Sequence, residues 1–133
     1  MTLPRAPRGL FVGLATLDVA QHVARAPGAD EKVTAIATHL SAGGPAANAA
    51  VAFAALGGEA TLLTALGASP AAALVRAELE TCGVRVVDAD ATRPELPPVS
   101  AITVVPRTGE RSVVGADGVA STAEPPADLD ALV

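Results

Sequence analysis

Residues 41–58, SAGGPAANAAVAFAALGG, place the strongest constraint on how this chain folds. Between Pro45 and Gly57 the only polar side chain is Asn48, in a run of alanines and larger apolar residues. Proline favours the first turn of a helix and glycine its end, so the run predicts a helix over about 45–57. A helix that is apolar on nearly all sides is buried, and a buried amide needs a hydrogen-bond partner. The sequence therefore predicts that Asn48 is buried at the start of this helix and bonds either a neighbouring loop or a ligand.

Apolar runs and an amphipathic segment alternate around this helix. Continuous apolar runs predict buried parallel strands near 9–15, 60–66 and 84–88. A second helix is predicted at about 69–82, with Ser69 as its N-cap. Alternation of strands and helices indicates right-handed crossovers and a parallel sheet with helices on both faces. The predicted fold class is α/β.

A separate small sheet is predicted from two further segments. Residues 32–40 alternate in polarity, and 99–115 has the pattern of two strands around the turn PRTG, which is typical of a hairpin. The main sheet keeps an unpaired edge, and the helix at 45–57 has no polar side to present to water. Either another chain covers this helix, or residues 1–133 are the N-terminal part of a larger domain. We favour the second interpretation.

Composition argues against several classes of function. The net charge is −5, with no Trp or Tyr and only two Phe, so we expect no nucleic-acid partner. Glycine pairs at 43–44 and 57–58 divide the long apolar region into pieces too short to span a bilayer, so we expect no membrane partner. No His or Cys cluster has metal-ligand spacing, so we expect no metal site. One cysteine fits a reducing compartment, and we expect a cytoplasmic protein.

Two features mark a candidate ligand site. The free N–H groups of a helix that begins at Pro45 point towards Gly43 and Gly44, which lack side chains and permit close approach. Asp18 directly follows a buried strand, at the sheet edge where α/β proteins bind ligands. Together with Asn48, this pattern suits an oxygen-rich ligand, either hydroxyls or an anion. The structural alternative is that Asn48 caps a loop and Asp18 is a solvated turn residue.

Three segments taken in order resemble the ribokinase-like (phosphofructokinase-B type) family of carbohydrate kinases. These are GLFVGLATLDV, SAGGPAANAAVAFAALGGEATLLTALG and LVRAELETCGVRV, followed by the strand pair. The middle segment is similar to the family's first signature, which has a Gly-Gly loop, an asparagine, small residues and then glycines at fixed intervals. The resemblance extends over about 9–118 and implies sugar binding by Thr16, Asp18, Gly43, Gly44 and Asn48. Thr16 stands where ribokinases often have asparagine, a departure that bears on which sugar is bound.

The resemblance also implies an activity and an architecture. The family transfers the γ-phosphate of ATP to a sugar hydroxymethyl group, with a small-molecule sugar or nucleoside as partner. Segments at about 17–40 and 99–115 correspond to a β-sheet lid, which in several members is also a dimer interface, so a homodimer through the lid is expected.

The family's second signature, Gly-Ala-Gly-Asp, is absent from the sequence. In the family it carries the catalytic base and the anion hole. We therefore expect no catalytic residue in this chain, and a C-terminal ATP-binding half outside it. Mg-ATP is then the co-substrate of the complete enzyme and is not bound by this chain alone, which we expect to be inactive. The alternative is a non-catalytic sugar- or nucleoside-binding module that lacks the kinase half.

Overall fold

The structure, a computed structural model, describes residues 5–116, 118 and 123–132. In chain order the strands and α-helices are β1 (Arg8–Val12), β2 (Thr16–His22), β3 (Ala37–Gly43), α1 (Pro45–Ala55), β4 (Glu59–Thr64), α2 (Pro70–Thr81), β5 (Val84–Asp88), β6 (Val99–Val105) and β7 (Glu110–Gly115). A 3-10 helix follows at Leu129–Leu132. The predicted α/β class is confirmed, and both predicted helices are present with nearly the expected ends.

The parallel sheet consists of β1, β4 and β5 in the order β1-β4-β5. Ala60 and Leu62 of β4 and Val84 of β5 are buried on one of its faces, in a core cluster shared with both helices. On the same face, the ring of Phe11 in β1 lies 5.4 Å from that of Phe53 in α1. Burial of these aliphatic and aromatic groups holds the helices against the sheet.

The first parallel strand is shorter than the apolar run at 9–15 from which it is predicted. After Val12 the chain keeps one bond to the sheet, from the Gly13 N–H to the Leu63 carbonyl at 3.1 Å. It then crosses to a second sheet, where β2 begins at Thr16. Apolar character alone does not show this crossing, because residues on both sides of it face the same core.

Both α-helices pack on one face of the parallel sheet. Ala50 of α1 and Val75 of α2 belong to the same core cluster. Successive crossovers that advance in one direction with one hand place their helices on the same side, which explains the arrangement. Helices are predicted on both faces. Among the described residues, the second face has the 3-10 helix, whose buried Leu132 borders a cavity with Thr61 and Arg85.

The predicted N-cap of α2 is confirmed. Ser69 is buried, and its Oγ accepts a hydrogen bond from the Ala72 N–H at 3.2 Å. Its backbone is extended (φ −67°, ψ 157°), as is usual just before a helix. This cap fixes where α2 starts and therefore which of its residues face the sheet.

β3, β2, β6 and β7 form a second sheet in that order, which we call the small sheet. The hairpin predicted at 99–115 is confirmed as β6 and β7 in antiparallel pairing. The prediction for 32–40 is wrong in its bounds. The strand in this region is β3, Ala37–Gly43, which starts where its pairing with β2 starts, with Ala37 opposite His22. The residues before position 37 form the connecting loop.

An ion pair closes the loop between β2 and β3. Arg25 Nη1 donates to Glu31 Oε2 at 2.7 Å, and Arg25 Nη2 contacts Glu31 Oε1. The Gly28 N–H also donates to Glu31 Oε2, at 2.9 Å. The hydrogen bond from Arg25, and then that from Gly28, lower the pKa of Glu31 to about 2. The carboxylate therefore stays ionised and paired at neutral pH.

Asp88, the last residue of β5, joins three parts of the fold. Its side chain is only 3% exposed. It accepts hydrogen bonds from the N–H groups of Leu66 and Gly67, at 3.1 and 3.0 Å, and from Arg76 Nη2 of α2, at 2.6 Å. The β4–α2 loop and α2 are thereby tied to the carboxyl end of β5. Sequence patterns do not reveal this role, because the N–H donors of Leu66 and Gly67 are backbone groups 22 and 21 residues away in the chain.

We expect Asp88→Ala to lower the free energy of unfolding by roughly 3 kcal/mol, the low end for a broken buried pair because Arg76 is partly solvated. Urea denaturation measures the loss. Asp90→Ala is the matched control, because its carboxylate is 28% exposed and lies 2.9 Å from Arg93 Nε. The control should lose clearly less. Equal losses in the two variants would contradict the anchoring role of Asp88.

Candidate functional site

The crossing from β1 to β2 positions Asp18. Thr16 is buried at the start of β2, and its Oγ1 donates to Asp18 Oδ1 at 2.8 Å. Asp18 is half-buried in the middle of a strand, so it is not the solvated turn residue of the structural alternative. Its fixed carboxylate keeps lone pairs free on both oxygens for further donors. Thr16 thus orients an acceptor for a ligand.

Gly43 lies against the same carboxylate. It is the last residue of β3 and is paired opposite Thr16, so it belongs to a strand and not to a loop. A Cβ at this position would overlap the carboxyl group of Asp18, with Oδ1 only 2.8 Å away. Glycine is therefore required here if Asp18 is to keep its place.

Gly44 packs directly on the crossing between the sheets. As the N-cap of α1 it has φ +97°, a value that favours glycine. A Cβ here would lie 2.9 Å from the Leu14 carbonyl carbon and 3.0 Å from Ala15 Cα. This contact brings the first turn of α1 beside β2. Among the described residues no side chain caps α1, so the first N–H groups of this helix are available to a ligand.

The prediction that Asn48 is buried is wrong. Its side chain is exposed, because α1 turns Ala47 and Ala50 into the core and Asn48 lies on the outer side. Its N–H donates to the Gly44 carbonyl at 2.9 Å, as the helix requires. Within the described part of the chain its amide group makes no hydrogen bond. The structure thus brings four of the predicted residues together, Thr16, Asp18, Gly43 and Gly44, and leaves Asn48 exposed one turn into α1.

Glu78 supports this site from the opposite face of the small sheet. Its Oε2, on α2, accepts a hydrogen bond from the Ala42 N–H at 2.6 Å. Ala42 directly precedes Gly43 on the edge strand β3, so this bond attaches the ligand-facing end of the strand to the body of the protein. No local pattern predicts the contact, since its partners are 36 residues apart.

A cavity of about 530 Å³ lies at the carboxyl ends of β1 and β4. Gly13 and Leu14 of the crossing line it, together with Leu63 and Thr64 of β4. Leu14 therefore borders this cavity and also lies beneath Gly44. The cavity is at the edge of a parallel sheet where α/β proteins bind ligands.

The donors and acceptors of the site are oxygen and nitrogen groups of the protein itself. Across residues 5–116, 118 and 123–132, no group of three or more His, Cys, Asp or Glu is placed to hold a metal ion. Over the same residues, no helix is long and apolar enough to cross a membrane. The site presents the Asp18 carboxylate, the backbone at Gly43 and Gly44, and uncapped helix N–H groups. These groups match a ligand with several hydroxyls.

Residues 8–132 match the family model for pfkB family carbohydrate kinases. The chain belongs to the pfkB family. This is the family that the sequence motifs resemble, and the resemblance is confirmed. The matched range contains both sheets, both α-helices and the four clustered site residues.

Three relatives illustrate the similarity. The chain is 34% identical over 128 residues to an ATP-dependent ribose-1-phosphate kinase of Halopiger xanaduensis, covering 92% of this chain and 41% of that protein. It is 27% identical to a candidate ribokinase from Agrobacterium tumefaciens, with a TM-score of 0.78 over 96% of this chain and 42% of the other. Phosphofructokinase-2 from Escherichia coli, in complex with fructose-6-phosphate, shares the fold at 23% identity and a TM-score of 0.69, over 92% and 38% of the two chains. This pfkB chain thus spans less than half of each relative.

Substitution of the two glycines by alanine should have contrasting effects. Gly43→Ala places a methyl group against the Asp18 side chain, which can rotate away, so ligand binding should be lost while stability changes little. Gly44→Ala meets backbone atoms and an unfavourable φ, so the free energy of unfolding should fall by roughly 1–3 kcal/mol or more. Urea denaturation and calorimetric titration with sugars separate the two effects. Unchanged sugar binding in Gly43→Ala would show that the Asp18–Gly43 contact does not shape the site.

Proposed function

We propose that this chain is the sugar-binding part of an ATP-dependent kinase that transfers the γ-phosphate of ATP to a sugar hydroxymethyl group. The main support for the proposal is the Asp18 carboxylate, which accepts a hydrogen bond from Thr16 and packs against Gly43. A fixed carboxylate can accept hydrogen bonds from two neighbouring hydroxyls, and a sugar offers such pairs. Membership of the pfkB family supports phosphoryl transfer as the reaction.

Each site residue has a distinct role in this proposal. Thr16 orients Asp18, which accepts hydrogen bonds from sugar hydroxyls. The absence of a side chain at Gly43 leaves the Asp18 carboxylate in place, and Gly44 packs on the backbone of Leu14 and Ala15, so that the start of α1 lies beside the bound sugar. Asn48, exposed and unpaired within the described residues, offers its amide as both donor and acceptor. The small sheet acts as the lid over the substrate, from the segments at about 17–40 and 99–115.

The catalytic groups belong, on this proposal, to a C-terminal half outside these residues. The described residues offer no donor cluster for Mg²⁺. On this proposal Mg-ATP is the co-substrate of the complete enzyme. Residues 1–133 are then the N-terminal part of one ribokinase-like domain in a cytoplasmic enzyme. The small sheet also offers a surface for a homodimer.

The substrate is a sugar or nucleoside with several free hydroxyls. The Halopiger relative is named for ribose 1-phosphate, which makes that compound, ribose and nucleosides the first candidates to test. The alternative function is a non-catalytic sugar- or nucleoside-binding module without a kinase half. The genomic sequence downstream of Val133 separates the two. A continuous frame that reaches a Gly-Ala-Gly-Asp motif supports the kinase, and a stop codon supports the module.

In the intact enzyme, Asp18→Ala should weaken sugar binding more than Asn48→Ala. Loss of a hydrogen bond to a buried group costs about 1–3 kcal/mol, with charged groups at the upper end, and Asp18 is the charged and less exposed of the two. Neither variant should change ATP affinity much. Calorimetry with a panel of pentoses, hexoses and nucleosides measures the losses. If both variants bind the best ligand as well as the parent does, the sugar site lies elsewhere.

The 133-residue chain alone should neither hydrolyse ATP nor phosphorylate a sugar. On the proposal, none of its residues supplies a base beside an anion hole. A coupled assay of ADP release, with and without sugar, tests this directly. The intact enzyme under the same conditions is the positive control. Sugar-dependent ADP release by the purified 133-residue chain would contradict the assignment of catalysis to the other half.

A further inference from the structure

The face of the small sheet that carries Asp18 also carries two histidines. On this face Asp18 pairs with Ser41 of β3, and Ala20 of the next row pairs with His39. His22 follows Ala20 by two residues on β2 and therefore points to the same side. The imidazole rings of His22 and His39 lie 5.0 Å apart, tilted by 55°. The opposite face packs on the core through Leu17, Val19 and Ala42.

The histidine pair lies within reach of a ligand held at Asp18. His39 is the diagonal cross-strand neighbour of Asp18, and such neighbours have Cα atoms about 7–8 Å apart. His39 is exposed and His22 is half-buried, so both are accessible from the ligand side. Ser41 lies beside His39 on the same face and adds a hydroxyl between the two positions. A single sugar derivative can therefore contact both groups.

The face that carries Asp18 is negatively charged near the start of β2 and positively charged near its end. Among its described strand residues, Asp18 is the one carboxylate. Val104 lies opposite His22, and Arg111 lies opposite Val104, so a guanidinium shares the row of His22. No carboxylate is paired with either histidine in the described residues. A hydroxyl-binding end is thus followed by an end rich in N–H donors and positive charge.

We propose that His22 and His39 bind the phosphate group of a phosphorylated sugar whose hydroxyls are held by Asp18. This inference rests on the proposed function and specifies its substrate class as a sugar phosphate. Imidazoles donate N–H hydrogen bonds to phosphate oxygens. Two imidazole rings whose centroids lie 5.0 Å apart can each place an N–H against the oxygens of one phosphate. Arg111, two strands away from His22 in the same row, attracts the phosphate electrostatically at longer range.

The test compares ribose 1-phosphate with ribose in the intact enzyme by calorimetric titration. The double variant His22→Gln/His39→Gln keeps polar side chains but removes the imidazoles. It should weaken ribose 1-phosphate binding by roughly tenfold or more, and change ribose binding by less than about twofold. Gln21→Ala, on the same strand but the opposite face, is the matched control and should alter neither. Asp18→Asn should weaken both ligands together.

The outcomes separate this inference from the function on which it rests. Equal weakening of both ligands by the double histidine variant, or of neither, overturns the phosphate site. A change from dimer to monomer in sedimentation, without a selective loss of ribose 1-phosphate, shows instead that the pair belongs to an interface between copies, and this also overturns it. Unchanged binding of both ligands in Asp18→Asn removes the sugar site of the proposed function. A selective loss in the histidine variant supports the phosphate site.

Discussion

The packing of Gly44 on the backbone of Leu14 and Ala15 is the contact on which the rest of the structure depends. It forces the start of α1 against the point where the chain leaves one sheet for the other. With α1 held there, Gly43 ends β3 beside the Asp18 carboxylate, and Thr16 reaches that carboxylate from β2. Because Gly43 and Gly44 have no side chains, they set both the distance between the two sheets and the shape of the site.

The small sheet is joined to the parallel sheet by a shared core, so it is not a separate domain in the described residues. Leu17 is part of the core cluster, and Val19, Ala42 and Val99 pack against it from the same face of the small sheet. Glu78 adds a hydrogen bond from α2 to the edge strand. A closing motion over a ligand must therefore bend the outer ends of the strands, because their inner ends are fixed to the core.

The sequence predicts those parts of the fold that local patterns encode. The continuous apolar strands, both helices, the Ser69 cap and the 99–115 hairpin follow from periodicity, capping and turn residues. The position of Asn48 does not, because an alanine-rich helix has too little contrast between its faces to show which side is buried. The extent of β3 is set by its pairing with β2, which the local sequence does not show. The contacts of Asp88 and Glu78 are equally hidden, because they involve backbone groups distant in the chain. In the site, the two glycines are foreseeable, because the residues before a helix that begins with proline favour glycine. Asp18 is foreseeable as the carboxylate after an apolar run, but its place within β2 instead of after a strand depends on pairing with β3.

One pairing register decides both the carboxylate site and the histidine pair. Side chains alternate between faces, so a slip of one residue between β2 and β3 would turn Asp18 towards α2 and Leu17 towards water. Burial of Leu17 favours the observed register, and Gly43 fits the Asp18 carboxylate only in that register. The same register places His39 next to His22 two rows further along. Apolar packing on the rear face therefore determines the order of polar groups on the ligand face, and substitutions there are expected to act on binding through register as well as through stability.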